Sequence, residues 1–408
     1  VLPAAALTGA LTVHDAHLRH FGPMPAARPE ELIAAVQGSG LTGRGGAGFP
    51  TYRKLIATAG RGAVVVGNGA EGEPLSGKDR ALLSLLPHLV LDGLGAAARA
   101  TGAREALLYV ADAGLVDGLA RTAADRHRRG IDELPVTVVR AAARFIDGEE
   151  SAVAARLSGR PALPRSRPPA VYDKGVSGRP TLVQNVETLA HLALVARYGA
   201  AWFRTAGTPE DPGSRLVTIG GAVPAPGVVE VPSGALLSDV VARAGATAPM
   251  RALLVGGFHG AWVPGHVLSR VTLSRSSLAP YGAQPGAGVL GVLPAGGCGI
   301  VEAAAVLRYL AEQSAGQCGP CLNGLPAIAT VMQRLAAVEQ DAALPGRALE
   351  LAGLVERRGA CHHPDGTARF LRSTLGVFSD EVRIHLDGHC SATDRRPVLP
   401  VPGRGVRG

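Results

Sequence analysis

The sequence predicts an α/β domain, a small α+β insert and a C-terminal helical bundle, and three observations carry that expectation. From about Arg28 to Tyr198, short β-rich runs alternate with helical stretches. Residues 215–258 then read as strand, turn, strand, helix and strand in quick succession. Beyond Gly297 the apolar spacing becomes helical throughout.

In the first region GAVVVGN (62–68) and EALLYVAD (105–112) have the apolar, β-branched character of buried strands, while 83–102 carries apolar residues at helical intervals. Strands alternating with helices imply a mainly parallel sheet covered on its faces. In the insert, the Pro/Gly-rich AVPAPG marks a hairpin between RLVTIGGAV and GVVEVP, and GALLSDVVARAGA and MRALLVGGF supply a helix and a further strand. The last region offers four amphipathic helices, at 301–316, 325–340, 343–359 and 367–386, joined by short connections. The final DRRPVLPVPGRGVRG is basic and rich in Pro and Gly, and is expected to be extended or flexible.

A chain of 408 residues is long enough for two or three packed units. The net charge of +8 is almost wholly arginine, because lysine occurs only at 54, 78 and 174. Those arginines are spread along the chain and aromatics make up 4% of it, so the basic groove with stacking rings that holds nucleic acid is missing. Apolar runs are short and soon interrupted by glycine, well below the ~20 residues that span a bilayer. The opening VLPAAALTGALTVHDAH has no basic stretch ahead of an apolar one, so a secretory signal is not supported; a cytoplasmic location is expected, a trimmed start being the alternative.

Four polar turns stand out. GRGGAGFPTYRK (43–54) can bring backbone amides close to a phosphate, with Lys54 adding a cation. GNGAEGEP (67–74) follows an apolar strand, where α/β sheets place ligands, and presents Asn68, Glu71 and Glu73 as hydrogen-bonding groups. FIDGEES (145–151) repeats the theme of an apolar strand end, a glycine and paired carboxylates. PTLVQNVETLAHLALV (180–195) runs from a strand into a helix whose first amides can face an anion. Each turn alone is equally consistent with an ordinary solvated loop. The five cysteines, at 298, 318, 321, 361 and 390, are odd in number and confined to the last third, which favours a metal or redox site around the C-x-x-C pair over a disulfide framework.

Taken together and in this order, the four turns resemble the NADH-binding flavoprotein subunit of respiratory complex I and its relatives in NAD-reducing hydrogenases and formate dehydrogenases. Residues 43–54 match the family's GRGGAGFPTGLKW, 68–74 its NADEGEP, 145–151 its YICGEET and 180–190 its PTTVNNVETLA. The resemblance implies an N-terminal segment (1–27), a Rossmann-like FMN- and NADH-binding domain (28–212), a β-grasp insert of the soluble-ligand-binding type (213–262), a connector and helical iron–sulfur bundle (263–390) and a flexible basic tail (391–408). It places Gly43, Gly45, Gly46, Lys54, Asn68, Glu71, Gly148, Glu149, Glu150, Asn185 and Thr188 against FMN. Glu73 and Glu150 fall where the family meets NADH, and Phe49 lines the nicotinamide side.

The sequence also departs from the family. Ala70 replaces the aspartate of NADEGEP, Gln184 the first asparagine of NNVET and Phe145 the tyrosine of YICGEE; Gln184 and Phe145 are retained among the expected cofactor contacts. The family's aromatic after the glycine loop, which helps stack the adenine, aligns with Ala57, and the phenylalanine of its KPPFPA segment aligns with Ala170. The family's four-thiolate set for a [4Fe–4S] cluster is reduced to Cys318, Cys321 and Cys361, with Ala315 at the first ligand position. Three thiolates fit a [3Fe–4S] cluster, or a [4Fe–4S] cluster completed by Cys298, Cys390, His362 or His363; a lost cluster is the alternative.

The implied activity is electron transfer through FMN, from NAD(P)H to an iron–sulfur centre or a partner protein, with Glu150 as the catalytic-site residue that positions the donor. The expected partner is an iron–sulfur or ferredoxin-type redox subunit, with peripheral attachment to a membrane through a redox partner as a further expectation. Two other readings are a flavin carrier fed by ferredoxin or a membrane partner without nicotinamide, and a non-catalytic scaffold.

Overall fold

The structure, a computed structural model, describes Pro3, Ala6 and residues 8–142, 144–166, 169–247 and 249–402. The chain divides into two compact units. The first comprises residues up to Gly72, Gly77–Leu216 and Val228–Gly234; the second comprises Glu73–Ser76, Val217–Gly227 and the chain from Ala235 onward.

In the first unit, β1 (Val64–Gly69), β2 (Glu105–Val110), β3 (Val136–Arg140) and β4 (Thr181–Asn185) form one parallel sheet in the order β3-β2-β1-β4. The Val64–Val66 run and Leu108–Val110 are wholly inaccessible, as expected of strands covered on both faces. Helix Pro87–Thr101 begins on proline and ends at Gly102 in the left-handed conformation, and nearly its whole surface is buried. It packs against helix Val186–Phe203 so closely that a Cβ on Gly93 would lie 1.9 Å from the Leu189 carbonyl oxygen. Only glycine permits that approach.

The helix expected over 83–102 is in fact two, Lys78–Leu85 and Pro87–Thr101, meeting at 98°. Pro87 suits the first turn of a helix but would clash inside one, so the chain bends at Leu86. Among the described residues no single helix is long and apolar enough to cross a membrane. FIDG is not a strand end: Phe145–Gly148 is a 3₁₀ turn, and β3 has already closed at Arg140. Before the sheet, helix His14–Phe21 lies in the segment expected over 1–27.

In the second unit, β5 (Ser214–Gly221, in this unit from Val217 on), β7 (Met250–Val255), β8 (Ala261–Pro264) and β9 (Val289–Pro294) are neighbours in the order β5-β9-β7-β8. The intervening β6 (Gly227–Pro232) belongs, from Val228 on, to the first unit. Strand β9 pairs parallel with β5 and antiparallel with β7. The sheet therefore continues to Pro294, whereas the sequence placed a connector from 263. Helices Gly299–Glu312, Leu325–Ala336, Leu344–Val355, His363–Val377 and Ser379–Leu386 follow. The last two replace the single helix expected over 367–386. Trp262 of β8, wholly buried, packs on Phe370 and Phe378 at ring-centroid distances of 6.1 and 5.3 Å, which ties the sheet to the bundle.

The tail differs from its expectation as well. Its described residues form no helix or strand, but the Glu302 carboxylate accepts from the amides of Val398 (2.9 Å) and Leu399 (2.7 Å), and the Leu399 side chain is buried. Residues 394–401 are thus anchored; residues 403–408 of the expected tail lie outside the described residues.

Candidate functional site

The strand order β3-β2-β1-β4 reverses direction between β1 and β4, and the crevice beyond the carboxyl ends at such a reversal is where open parallel sheets hold ligands. Asn68 and Asn185 are register partners on those two strands, and Gly67 pairs with Gln184 one step earlier. Several of the sequence-predicted residues of the first unit gather around this point, whereas Glu73 and the cysteines belong to the second unit.

Asn68 is held at both ends of its amide: Nδ2 donates to Gly148 O (3.0 Å) and Oδ1 accepts from Ala70 N (3.1 Å). Asn185 caps helix Val186–Phe203 by accepting from Glu187 N (3.0 Å), while its Nδ2 donates to Asp79 Oδ2 (2.7 Å) and to Asn68 O (3.3 Å). Thr188, buried in the first turn of that helix, accepts from Arg44 N at 2.9 Å and so fixes the glycine loop. A Cβ on Gly45 would come within 3.2 Å of Asn185 Cβ, and Gly46 has φ 119°. Both observations explain why the loop is built of glycine. Gly43 N donates to Phe49 O (2.9 Å) across the loop's neck, and Phe49 itself is 44% exposed.

Gln184 is 3% exposed, and its Nε2 has no hydrogen-bond partner among the described residues. An unsatisfied buried donor costs roughly 1–3 kcal/mol, so at a ligand crevice it marks a place for an acceptor. Lys54, on helix Thr51–Thr58, contacts Glu150 Oε1 and donates to Val183 O (3.3 Å). Burial pulls the Lys54 ammonium down to about 8. The Glu150 side chain is 42% exposed, so one face of this pair remains open to solvent.

Other predicted acids have local work. Glu149 caps helix Glu150–Leu157, accepting from Ser151 N (2.9 Å) and Ala152 N (3.0 Å). Glu71 accepts from Asp79 N and Arg80 N, both at 3.1 Å, and caps helix Lys78–Leu85. Phe145 is half-buried in the 3₁₀ turn that also carries Gly148. Glu73 belongs to the second unit, where its Oε2 accepts from Phe258 N (2.8 Å); burial pushes its carboxyl up to about 7.

Sequence reasoning passed over Lys78, Asp79 and Glu187. Lys78, 1% exposed, donates to Asp79 (2.6 Å) and Asn185 Oδ1 (3.1 Å) and pairs with Glu187 (2.9 Å). Burial raises the Glu187 carboxyl, but Lys78, His191 and Arg44 together outweigh it and hold the group well below the usual carboxylate range. A signal was available: two of only three lysines, Lys54 and Lys78, flank the predicted turns.

In the second unit Cys318 Sγ and Cys321 Sγ lie 3.5 Å apart, around a π-helical turn at Pro320–Gly324. Backbone hydrogen bonds from Ala360 and Cys321 outweigh burial and lower the Cys318 thiol, while burial raises that of Cys321. The Ala360 backbone, just before Cys361, faces Cys318, and the Ala315–Gly316 backbone faces Cys321, so the depleted position and the chain leading into Cys361 lie beside the C-x-x-C pair. Two of the expected fourth ligands are engaged elsewhere: Cys298 and Cys390 meet Glu381 and His385. His363 is also committed, its Nε2 to Leu310 O (2.8 Å) and its Nδ1 to His259 (3.0 Å). His362 is almost fully exposed beside Asp365.

Two family profiles match the chain: the "Nuo51 FMN-binding domain" over residues 36–194 and the "NADH-ubiquinone oxidoreductase-F iron-sulfur binding region" over 302–385. The second F-type subunit of NADH-quinone oxidoreductase from Rhizobium meliloti (strain 1021) is 31% identical over 377 residues, covering 88% of this chain and 89% of the relative. NADP-reducing hydrogenase subunit HndC of Solidesulfovibrio fructosivorans is 29% identical over 378 residues, covering 88% and 76%. Among solved structures, NAD⁺-reducing [NiFe]-hydrogenase in the H₂-reduced state superposes with a TM-score of 0.82 at 31% identity; the match covers 95% of this chain and 66% of that one.

Proposed function

Because the chain belongs to the family of F-type subunits of NADH-quinone oxidoreductase, we propose that it is an FMN-binding, NADH-oxidising electron-transfer subunit whose flavin lies at the carboxyl ends of β1 and β4. The observation that carries this reading is the buried Gln184 side chain, whose Nε2 has no hydrogen-bond partner among the described residues, beside Asn68 and Asn185 at the sheet's switch point. The glycine loop, with Gly45 pressed against Asn185, fits the close approach of a flat ligand or its phosphate.

Bound there, FMN would supply the chemistry of accepting electrons in pairs and releasing them singly. The chain's own residues bind and orient. Gly45 and Gly46 offer backbone amides to the phosphate, while Gly43 closes the loop's neck on Phe49 O; Asn68 and Gln184 supply side-chain amides, Asn185 orders the strand ends through Asp79 and Asn68 O, and Thr188 keeps the loop in place through Arg44 N. Lys54, whose pKa burial lowers to about 8, holds its proton more firmly when a further anionic group lies beside it. Glu150, half-open to solvent, orients the nicotinamide donor and is a positioning residue. In the second unit Cys318, Cys321 and Cys361 would hold an iron–sulfur cluster through three thiolates, and Ala315 leaves its remaining position without a thiolate. Such a subunit delivers electrons to an iron–sulfur or ferredoxin-type partner.

Replacing the family's aromatic positions, Ala57 and Ala170 favour a second reading, a flavin carrier reduced by a protein partner without nicotinamide. Anaerobic mixing of the flavin-loaded chain with NADH separates the two. The proposed function predicts bleaching of the flavin, and Glu150→Gln is expected to slow it on the order of 10- to 100-fold while flavin content stays unchanged. A chain that retains flavin but is never bleached by NADH favours the partner-fed carrier, and an unchanged rate in Glu150→Gln removes that residue from the scheme.

A further inference from the structure

Away from the C-x-x-C loop, four side chains from three segments of the second unit converge. Cys298 stands immediately before helix Gly299–Glu312, Glu381 and His385 sit one turn apart on helix Ser379–Leu386, and Cys390 follows that helix. One donor atom from each lies within 4.8 Å of every other. Cys298 Sγ is 3.4 Å from His385 Nε2 and 3.8 Å from Glu381 Oε1; Cys390 Sγ is 3.5 Å from Glu381 Oε1; His385 Nε2 is 3.1 Å from the same oxygen. Bonds of about 2.0–2.3 Å to a tetrahedral ion separate such ligands by roughly 3.3–3.8 Å. Three of these four edges fall within that range, and the fourth, 3.1 Å, lies just below it.

The surroundings hold each donor in place. His385 Nδ1 faces Leu335 O at 2.8 Å, which fixes the ring and turns Nε2 toward the thiols. Glu381 Oε2 is taken by Arg251 Nη2 (2.6 Å) and the Ser391 hydroxyl, leaving Oε1, which also accepts from Ser391 N (3.1 Å), to face the cluster. Glu381 and His385 are fully buried and Cys298 nearly so. Two thiols, an imidazole and a carboxylate form a donor set suited to a borderline-soft divalent ion.

We propose that Cys298, Glu381, His385 and Cys390 form a structural zinc-type site, closed by four protein ligands and separate from Cys318, Cys321 and Cys361. Binding releases the two thiol protons, and Arg251 offsets part of the resulting negative charge. The ion clamps Cys390 and the segment after it beside the helix whose Glu302 already holds Val398 and Leu399. The E-x-x-x-H-x-x-x-x-C spacing puts Glu381 and His385 on one helix face, a pattern the sequence contained but that the attention to C-x-x-C left unread.

The test uses the full chain, reduced and carrying Cys318→Ser, Cys321→Ser and Cys361→Ser so that the other thiols cannot bind metal. Zinc(II) content after equilibration and desalting is expected to be one per chain, and cobalt(II) is expected to give the visible spectrum of a tetrahedral thiolate complex. Adding Cys390→Ala, at a position outside the helices, is expected to weaken zinc binding by about 100-fold or more while circular dichroism is retained. Should that variant misfold, protection of Cys298 and Cys390 from alkylation by zinc in the parent protein decides the matter. A folded, reduced parent that takes up no zinc, binding unaffected by Cys390→Ala, or alkylation unchanged by zinc would each overturn the proposal and leave a plain thiol hydrogen-bond network.

Discussion

Glu73 shows how a residue picked out by a motif acquires its properties from the fold. Its carboxylate lies against Gly257, where a Cβ would approach Oε2 to 2.5 Å, and it accepts from Phe258 N. Burial raises its pKa from 4.5 to about 7, against the smaller opposing effect of the Phe258 and Leu75 amides. Between pH 4.5 and 7 the folded chain therefore holds a proton that the unfolded chain has released, so this residue makes stability fall as pH rises through that window. Glu73→Gln, which resembles the protonated form, is expected to flatten that fall in urea-unfolding midpoints measured at about pH 5 and about pH 7.5. Equal pH slopes in the two proteins would contradict the assignment. Glu71 and Glu149 teach a related lesson: a carboxylate just before a helix can accept from a ligand or from the helix's own first amides, and spacing alone does not distinguish them.

At the scale of elements, Lys78, Asp79, Asn185 and Glu187 join the start of helix Lys78–Leu85 to the β4–helix junction, and Glu187 Oε1 further accepts from Leu216 N (2.8 Å). Lys78→Met is expected to destabilise the first unit by about 3–5 kcal/mol in chemical denaturation, because it leaves Glu187 charged and buried without its partner. A loss below about 1 kcal/mol would show that the pair is not held as described. The α/β alternation, the β5-to-β7 order and most bundle helices were legible, since each carries a clear period or a turn signal. Strand β9 was not: VLGVLP is a short apolar run without alternation, and its pairing with β5 and β7 is wholly long-range. The break at Pro87 and the division of the last helix were hidden because the apolar spacing continues across both joints.

At the scale of the whole molecule, the family motifs point to a candidate flavin site, yet the physical reason to expect one there is topological. Only the strand order shows that β1 and β4 lie side by side at a reversal, which turns four separately weak loops into one crevice. The cysteine count announced metal chemistry, but not that the five thiols divide between a C-x-x-C loop region and the Cys298–Cys390 cluster, because that division depends on how helix Ser379–Leu386 packs. The central claim is that the β1/β4 crevice holds one flavin mononucleotide. The most direct test is to supply the apo-chain with excess FMN, remove the unbound fraction and measure flavin absorbance per chain. One retained FMN per chain is the predicted result; a folded chain that emerges colourless would contradict it.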